Sequence, residues 1–262
     1  MPASIKLQQA YGDDLQVLFV EVQGADLETA EAFAWRQKWM GTRAMWTTER
    51  PLEVPGNGIP KFALLDTEGK LLLEGNPLDM KKKIEAAIAE QVKNAKAAPA
   101  GTPDALAKTW ARFVKGDVAG ALAECDKLGA DVELAEPARA LKDEMVGRTE
   151  RKIARGKWLV TNGYVAEASE LLTGLAKGVK GSPELESKIE GELARVQTPD
   201  KTLAAEAEAS KALAALQQKM IKDKPFEDAN VKALQKLAEK HAGTKAGERA
   251  ARLAKLASVE FR

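Results

Sequence analysis

The feature that most constrains this chain is a change of character near residue 95. Before it, helix-like segments alternate with short apolar runs rich in Val, Leu and Phe; after it, Ala, Lys, Glu and Leu dominate at helical spacing. The pattern predicts an α/β domain over 1–95, a linker over 96–103 and an all-helical domain over 104–262. The linker, Lys96-Ala97-Ala98-Pro99-Ala100-Gly101-Thr102-Pro103, is the small-residue, Pro-containing type that separates domains.

In the first part, Leu15 to Val22 is an almost continuous apolar run, as expected of a parallel strand covered on both faces. Asp26 can cap a helix running to about Met40, with Leu27, Ala30, Phe33 and Ala34 toward the sheet and Trp35 and Trp39 on a neighbouring face. A second strand is expected around Arg43 to Thr48. Pro51, Pro55, Gly56, Asn57, Gly58 and Pro60 then make a loop. Lys61–Leu65 and Lys70–Glu74, joined by Asp66-Thr67-Glu68-Gly69, read as an antiparallel hairpin with Gly69 at the turn. Asn76-Pro77 offers a helix start, and Met80, Ile84, Ala87, Ile88, Gln91 and Val92 keep helical period to the linker.

Composition narrows the chemistry. The 262 residues carry 40 Lys and Arg against 39 Asp and Glu, a net charge of +1, with one Cys and one His. One thiol makes neither an intramolecular disulfide nor a C-x-x-C pair, and one Cys with one His cannot assemble a zinc site of the usual four-ligand kind. Near-neutral charge gives no sequence-wide footprint for nucleic acid or an anionic membrane. No stretch approaches the roughly 18–20 apolar residues of a spanning helix. The first residues, Met1-Pro2-Ala3-Ser4-Ile5-Lys6-Leu7, lack the basic and apolar regions of a secretory signal.

In the helical half, Thr102-Pro103, Glu136-Pro137, Ser182-Pro183 and Lys224-Pro225 each stand near an expected helix start. Leu106, Trp110, Phe113 and Val114 form one apolar stripe; Val118, Ala121, Leu122 and Cys125 form the next. Together they predict an antiparallel helix pair. The joint Gly116-Asp117-Val118-Ala119-Gly120-Ala121-Leu122 is restated about 47 residues later as Gly163-Tyr164-Val165-Ala166-Glu167-Ala168-Ser169, each with a tryptophan upstream, Trp110 and Trp158. Residues 229–257 read as a helix, a Gly243-Thr244 turn and a small-residue helix packing back, the arrangement of tetratricopeptide-like units. An irregular period favours a helical bundle with such pairs over a regular solenoid.

The order β-α-β-loop-Pro-β-β-α in residues 1–92 resembles the thioredoxin superfamily, in particular its TlpA/ResA-like thiol-disulfide oxidoreductase branch. Two stretches carry the resemblance: Met1 to Val17, similar to the tail of the family's first helix entering a strand, and Gly58-Ile59-Pro60-Lys61-Phe62-Ala63-Leu64-Leu65-Asp66-Thr67-Glu68-Gly69-Lys70, similar to its G-x-P-x-x-x-L-x-D-x-x-G-x segment. The resemblance implies a cis bond before Pro60 and a peptide-docking loop at Gly58, Ile59 and Pro60. It also implies a W-C-x-x-C upstream of Met1, and this chain holds no counterpart of that redox pair. Either the polypeptide begins upstream of Met1, or a diverged domain has rebuilt its sheet without the strand that leads into the dithiol. The compartment follows the same choice: cytoplasmic as written, periplasmic or exported with an upstream start.

The resulting expectation is an incomplete thioredoxin-like α/β domain followed by a TPR-like helical domain, acting as a protein-interaction module for a protein or extended peptide. It has no catalytic residue, metal or cofactor. The rivals are an oxidoreductase with its dithiol upstream and a structural helical scaffold. An open sheet edge also raises dimerisation through that edge. Cys125 is expected to be a buried small hydrophobe, His241 a capping group at a helix C-terminus, Lys81-Lys82-Lys83 a solvated face, and the five tryptophans core or interface residues.

Overall fold

A computed structural model describes residues 2–40, 45–54 and 58–260. The chain comprises an N-terminal mixed α/β segment followed by a long all-α region. It divides into two compact units: Met1–Ala97 with Gln218–Glu227 and Lys255–Arg262, and Ala98–Gln217 with Asp228–Ala254.

The α/β unit opens with α1 (Pro2–Tyr11), then β1 (Leu18–Val20), α2 (Leu27–Arg36), β2 (Met45–Thr47), β3 (Phe62–Leu65), β4 (Leu71–Gly75) and α3 (Lys81–Lys96). Among the described residues β1 pairs in parallel with β2 alone, and β3 antiparallel with β4 alone, giving two separate two-stranded sheets. The first strand, Leu18–Val20, is shorter than the apolar run of Leu15–Val22 predicts, and among the described residues it is matched one to one by Met45–Thr47. Of the second expected strand, Arg43 and Ala44 lie outside the described residues, as do Pro55, Gly56 and Asn57 of the loop.

Asp26 caps α2: its carboxylate accepts from the Thr29 amide and hydroxyl, both at 2.9 Å. The helix stops at Arg36 rather than near Met40. Lys38 turns to φ +59° and the Trp39 amide reaches back to the Ala34 carbonyl, closing the C-terminal turn. Ala32, Ala34 and Trp35 form its buried face; Leu27 and Phe33, expected toward the sheet, are exposed. The hairpin forms as expected. Asp66 accepts from the Glu68 and Lys70 amides and Gly69 sits at φ +83°. Helix α3 begins at Lys81, later than Asn76-Pro77 suggests, because the Asn76 side chain instead closes a local turn on the Leu78 amide. Lys81, Lys82 and Lys83 are exposed on its first turn.

Two later segments belong to this unit. The Arg36 guanidinium donates to the carbonyls of Ala257 (3.1 Å) and Val259 (2.8 Å) and lies over the Phe226 ring, and Lys255 pairs with Glu28 at 2.6 Å. Ile5 and Phe19 form one buried cluster here, with Val17, Trp39 and Trp46 against them, and Ala32, Ala34, Trp35, Ile88, Met220 and Leu256 are also buried in this unit.

The helical unit contains α4 (Asp104–Val114), α5 (Val118–Leu128), α6 (Ala135–Thr161), α7 (Val165–Val179), α8 (Pro183–Gln197), most of α9 (Lys201–Lys222), α10 (Asp228–Lys240) and nearly all of α11 (Lys245–Leu256). One continuous core runs through α4 to α8, including Leu106, Trp110, Met145, Leu172 and Leu185. The repeated joint is real at the level of packing: Val118 and Val165 are both buried, and Ala121 and Ala168 fully so. Glycine permits the closest approaches. A side chain at Gly178 would strike the Gly116 carbonyl oxygen, and one at Gly156 would meet Leu172 at 2.5 Å. Val114 is exposed, leaving Leu106, Trp110 and Phe113 as the buried stripe of α4.

Candidate functional site

Gly58, Ile59 and Pro60 run directly into β3. Gly58 takes φ +90° in open space, Ile59 is 59% exposed, and the Ile59–Pro60 peptide bond is cis, as the resemblance implies. Lys61 anchors the loop by donating its Nζ to the Val54 carbonyl at 3.1 Å. An exposed isoleucine beside a proline presents an apolar, donor-poor ridge at the entrance to a strand.

The direction of the β3 backbone groups follows from one bond. The Asp66 amide donates to the Lys70 carbonyl, so Asp66 faces β4. The period of two then turns Leu64 and Phe62 toward β4, and Leu65, Ala63 and Lys61 away from it. The irregularity at Leu64/Leu65 adds its extra residue to β4, leaving the alternation of β3 intact. Among the described residues the outward amide and carbonyl groups of Ala63 and Leu65 meet no strand. In β1 the Val17 carbonyl and the Glu21 amide bond toward β2, which turns Leu18 and Val20 to the other edge, where no strand pairs among the described residues.

The side chains of β3 and β4 match this incompleteness. Phe62, Ala63, Leu64, Leu72 and Leu73 are only half-buried and Leu65 and Leu71 are exposed, although such an apolar run suits a strand covered on both faces. The pairing signal was legible in sequence, whereas the openness of the edge depends on which strands surround it.

Elsewhere the structure assigns structural roles. Cys125 is 2% exposed on the inner face of α5, and its thiol is pushed up to about 11, chiefly by burial and then by Asp126. At neutral pH it is a protonated, unreactive core residue. His241 is buried just past α10, its Nε2 4.0 Å from a Glu208 carboxylate oxygen. No catalytic partner accompanies it among the described contacts. Asp117 caps α5 by accepting from the Gly120 amide at 3.0 Å, and Arg112 binds the same carboxylate at 2.6 Å. The hydrogen bonds from Arg112, then that from Gly120, hold the Asp117 carboxyl below its ordinary range.

Among the described residues there is no cluster of His, Cys, Asp and Glu that could hold a metal, and no helix long and apolar enough to cross a membrane. The single cysteine leaves no C-x-x-C in this chain. No family model matches the chain, nor does any curated protein or solved structure.

Proposed function

We propose that this chain is a protein-interaction module whose α/β unit, thioredoxin-like in its element order, captures an extended polypeptide by strand addition at the outer edge of β3, beside Gly58, Ile59 and Pro60. The observation that carries the reading is the pair of outward backbone positions, Ala63 and Leu65, that meet no strand among the described residues. Strand addition takes affinity from main-chain hydrogen bonds and specificity from alternate side chains. Ile59 and Leu65, both exposed, supply apolar contacts at either end of this edge. The helical unit, with its TPR-like paired helices, serves as the rigid interaction scaffold.

Proline substitution on the two faces of one strand tests this. Ala63→Pro removes an outward amide and leaves the β3–β4 bonds in place, whereas Leu64→Pro removes an inward group and opens the hairpin. The probe is a labelled extended peptide of alternating Val and Thr with flanking Lys, followed by fluorescence anisotropy. The reading expects saturable binding to the native chain, and loss of that binding in Ala63→Pro with far-UV circular dichroism unchanged. Equal binding by Ala63→Pro and the native chain would overturn it.

A further inference from the structure

The side chains around the outer edge of β3 select among the polypeptides that could pair with it. Side chains of a strand alternate between the two faces of its sheet. One face of the hairpin therefore carries Ala63 and Leu65, with Leu71 opposite Leu65 on β4; the other carries Phe62 and Leu64, with Leu73 opposite Leu64. All four residues of β3 are apolar, and Glu74 is the one polar residue of the two strands. Glu74 stands opposite Ala63 on β4, two strand spacings or roughly 10 Å from any strand added on the outer side.

Neither face is closed. On the first, Leu65 and Leu71 are 43% and 40% exposed; on the second, Phe62, Leu64 and Leu73 are half-buried. Where one face of a sheet meets water, apolar side chains gather on the other and the strand reads as an alternation. β3 has no such alternation, so a strand added at its outer edge meets apolar neighbours on both sides of the sheet. From Phe62 to Leu65 the edge also lacks the charges and prolines with which edge strands turn apolar partners away.

We propose that the segment captured here is a continuous apolar run, apolar on both faces, of the kind that folded proteins keep inside covered strands. The partner is then an unfolded or incompletely folded polypeptide, the state in which such runs are accessible. This rests on strand addition at β3 and names its substrate class. Alternate residues of the run pack beside Ala63 and Leu65, and the intervening ones beside Phe62 and Leu64, so both sets leave water. An amphipathic segment offers apolar contact to one face and sets polar groups beside leucines on the other.

The test compares two labelled peptides with the same Lys-Lys flanks, one with the centre Val-Ile-Val-Leu-Val and one with Val-Thr-Val-Thr-Val. Each is titrated with the full chain and followed by fluorescence anisotropy, at concentrations where the peptide sediments as a monomer. The proposal expects the continuous peptide to bind about tenfold or more tightly than the alternating one. Leu65→Thr, at an exposed position, should keep the native circular dichroism and bring the two affinities within about threefold of each other. Equal affinities for the native chain, or an advantage that survives Leu65→Thr, would overturn the proposal and leave strand addition standing. Saturable binding of neither peptide, or binding that Ala63→Pro does not weaken, would overturn both. A dimer of the chain that Ala63→Pro abolishes and the continuous peptide does not displace would assign the edge to a second copy, and so overturn the proposal as well.

Discussion

The two units solve the same problem of covering apolar surface with different success. In the helical unit, Leu106, Met145, Leu172 and Leu185 are almost fully buried in a core that runs through five helices, and among the described residues its exposed large apolar side chains are Val114, Val132 and Trp158. In the α/β unit, Leu18, Val22, Leu27, Phe33, Met45, Leu52, Ile59, Leu65, Leu71 and Leu78 are exposed, while Ile5, Phe19, Ala32, Ala34, Trp35, Ile88, Met220 and Leu256 are buried. A helix satisfies its own backbone and needs a partner only for one stripe, whereas a strand needs neighbours for both its edges and its faces. With its strands in two separate pairs among the described residues, the α/β unit leaves surface that a further strand can cover.

The largest expected effect contrasts a core leucine of the helical unit with an exposed leucine of the α/β unit. Leu172→Ala should lower the unfolding free energy by about 2–5 kcal/mol, while Leu78→Ala, at a position 77% exposed, should change it by less than about 0.5 kcal/mol in urea titrations followed by circular dichroism. Comparable losses at both sites would break the contrast.

Within α7 the packing can be probed at finer grain. A branched side chain at Gly178 meets the Gly116 carbonyl, so Gly178→Val should destabilise by about 1–3 kcal/mol. Gly174, in the same helix with open space around it, should gain roughly 0.5–1 kcal/mol on substitution by Ala. Thermal melts of the pair measure both signs at once.

The two aspartate caps give a smaller, pH-dependent comparison. Asp117→Ala should cost about 1 kcal/mol at neutral pH through loss of the α5 cap. The carboxyls of Asp117 and Asp26 both lie below their ordinary range, Asp117 chiefly through Arg112 and Asp26 chiefly through the Thr29 amide. A depressed folded-state value contributes stability above the unfolded value of about 4, and that contribution is lost as pH falls through the folded one. The difference between the native chain and each Ala variant should therefore shrink as pH drops from about 5 toward 2. A difference that stays constant over that range would show that these caps do not titrate with folding.

Much of this was legible along the chain, for physical reasons that differ by element. The hairpin was readable because Asp66 and Gly69 dictate a local turn, and α2 began where expected because Asp26 supplies the cap. Cys125 was readable because helical spacing placed it on a stripe with Val118, Ala121 and Leu122. The Gly58–Pro60 loop was readable because its residues exclude regular structure.

What escaped depended on distant partners or on single-residue phase. Trp158 looked equivalent to Trp110 until its position relative to Gly163 was counted. The attachment of 255–260 to α2 uses the Arg36 guanidinium on backbone carbonyls, which carry no side-chain signature. The bounds of β1 were not legible in its own apolar run, which extends further on both sides than its described pairing with β2. The open edge of β3, which defines the candidate site, is likewise a property of neighbours.

Amide hydrogen exchange at β3, with and without the Val/Thr peptide, bears most directly on the central claim. The account predicts that the amides of Ala63 and Leu65 exchange fast in the free chain and become protected when the peptide binds, while the inward Leu64 amide is protected in both states. Slow exchange at Ala63 and Leu65 in the free chain, or no added protection under peptide saturation, would contradict strand addition at this edge.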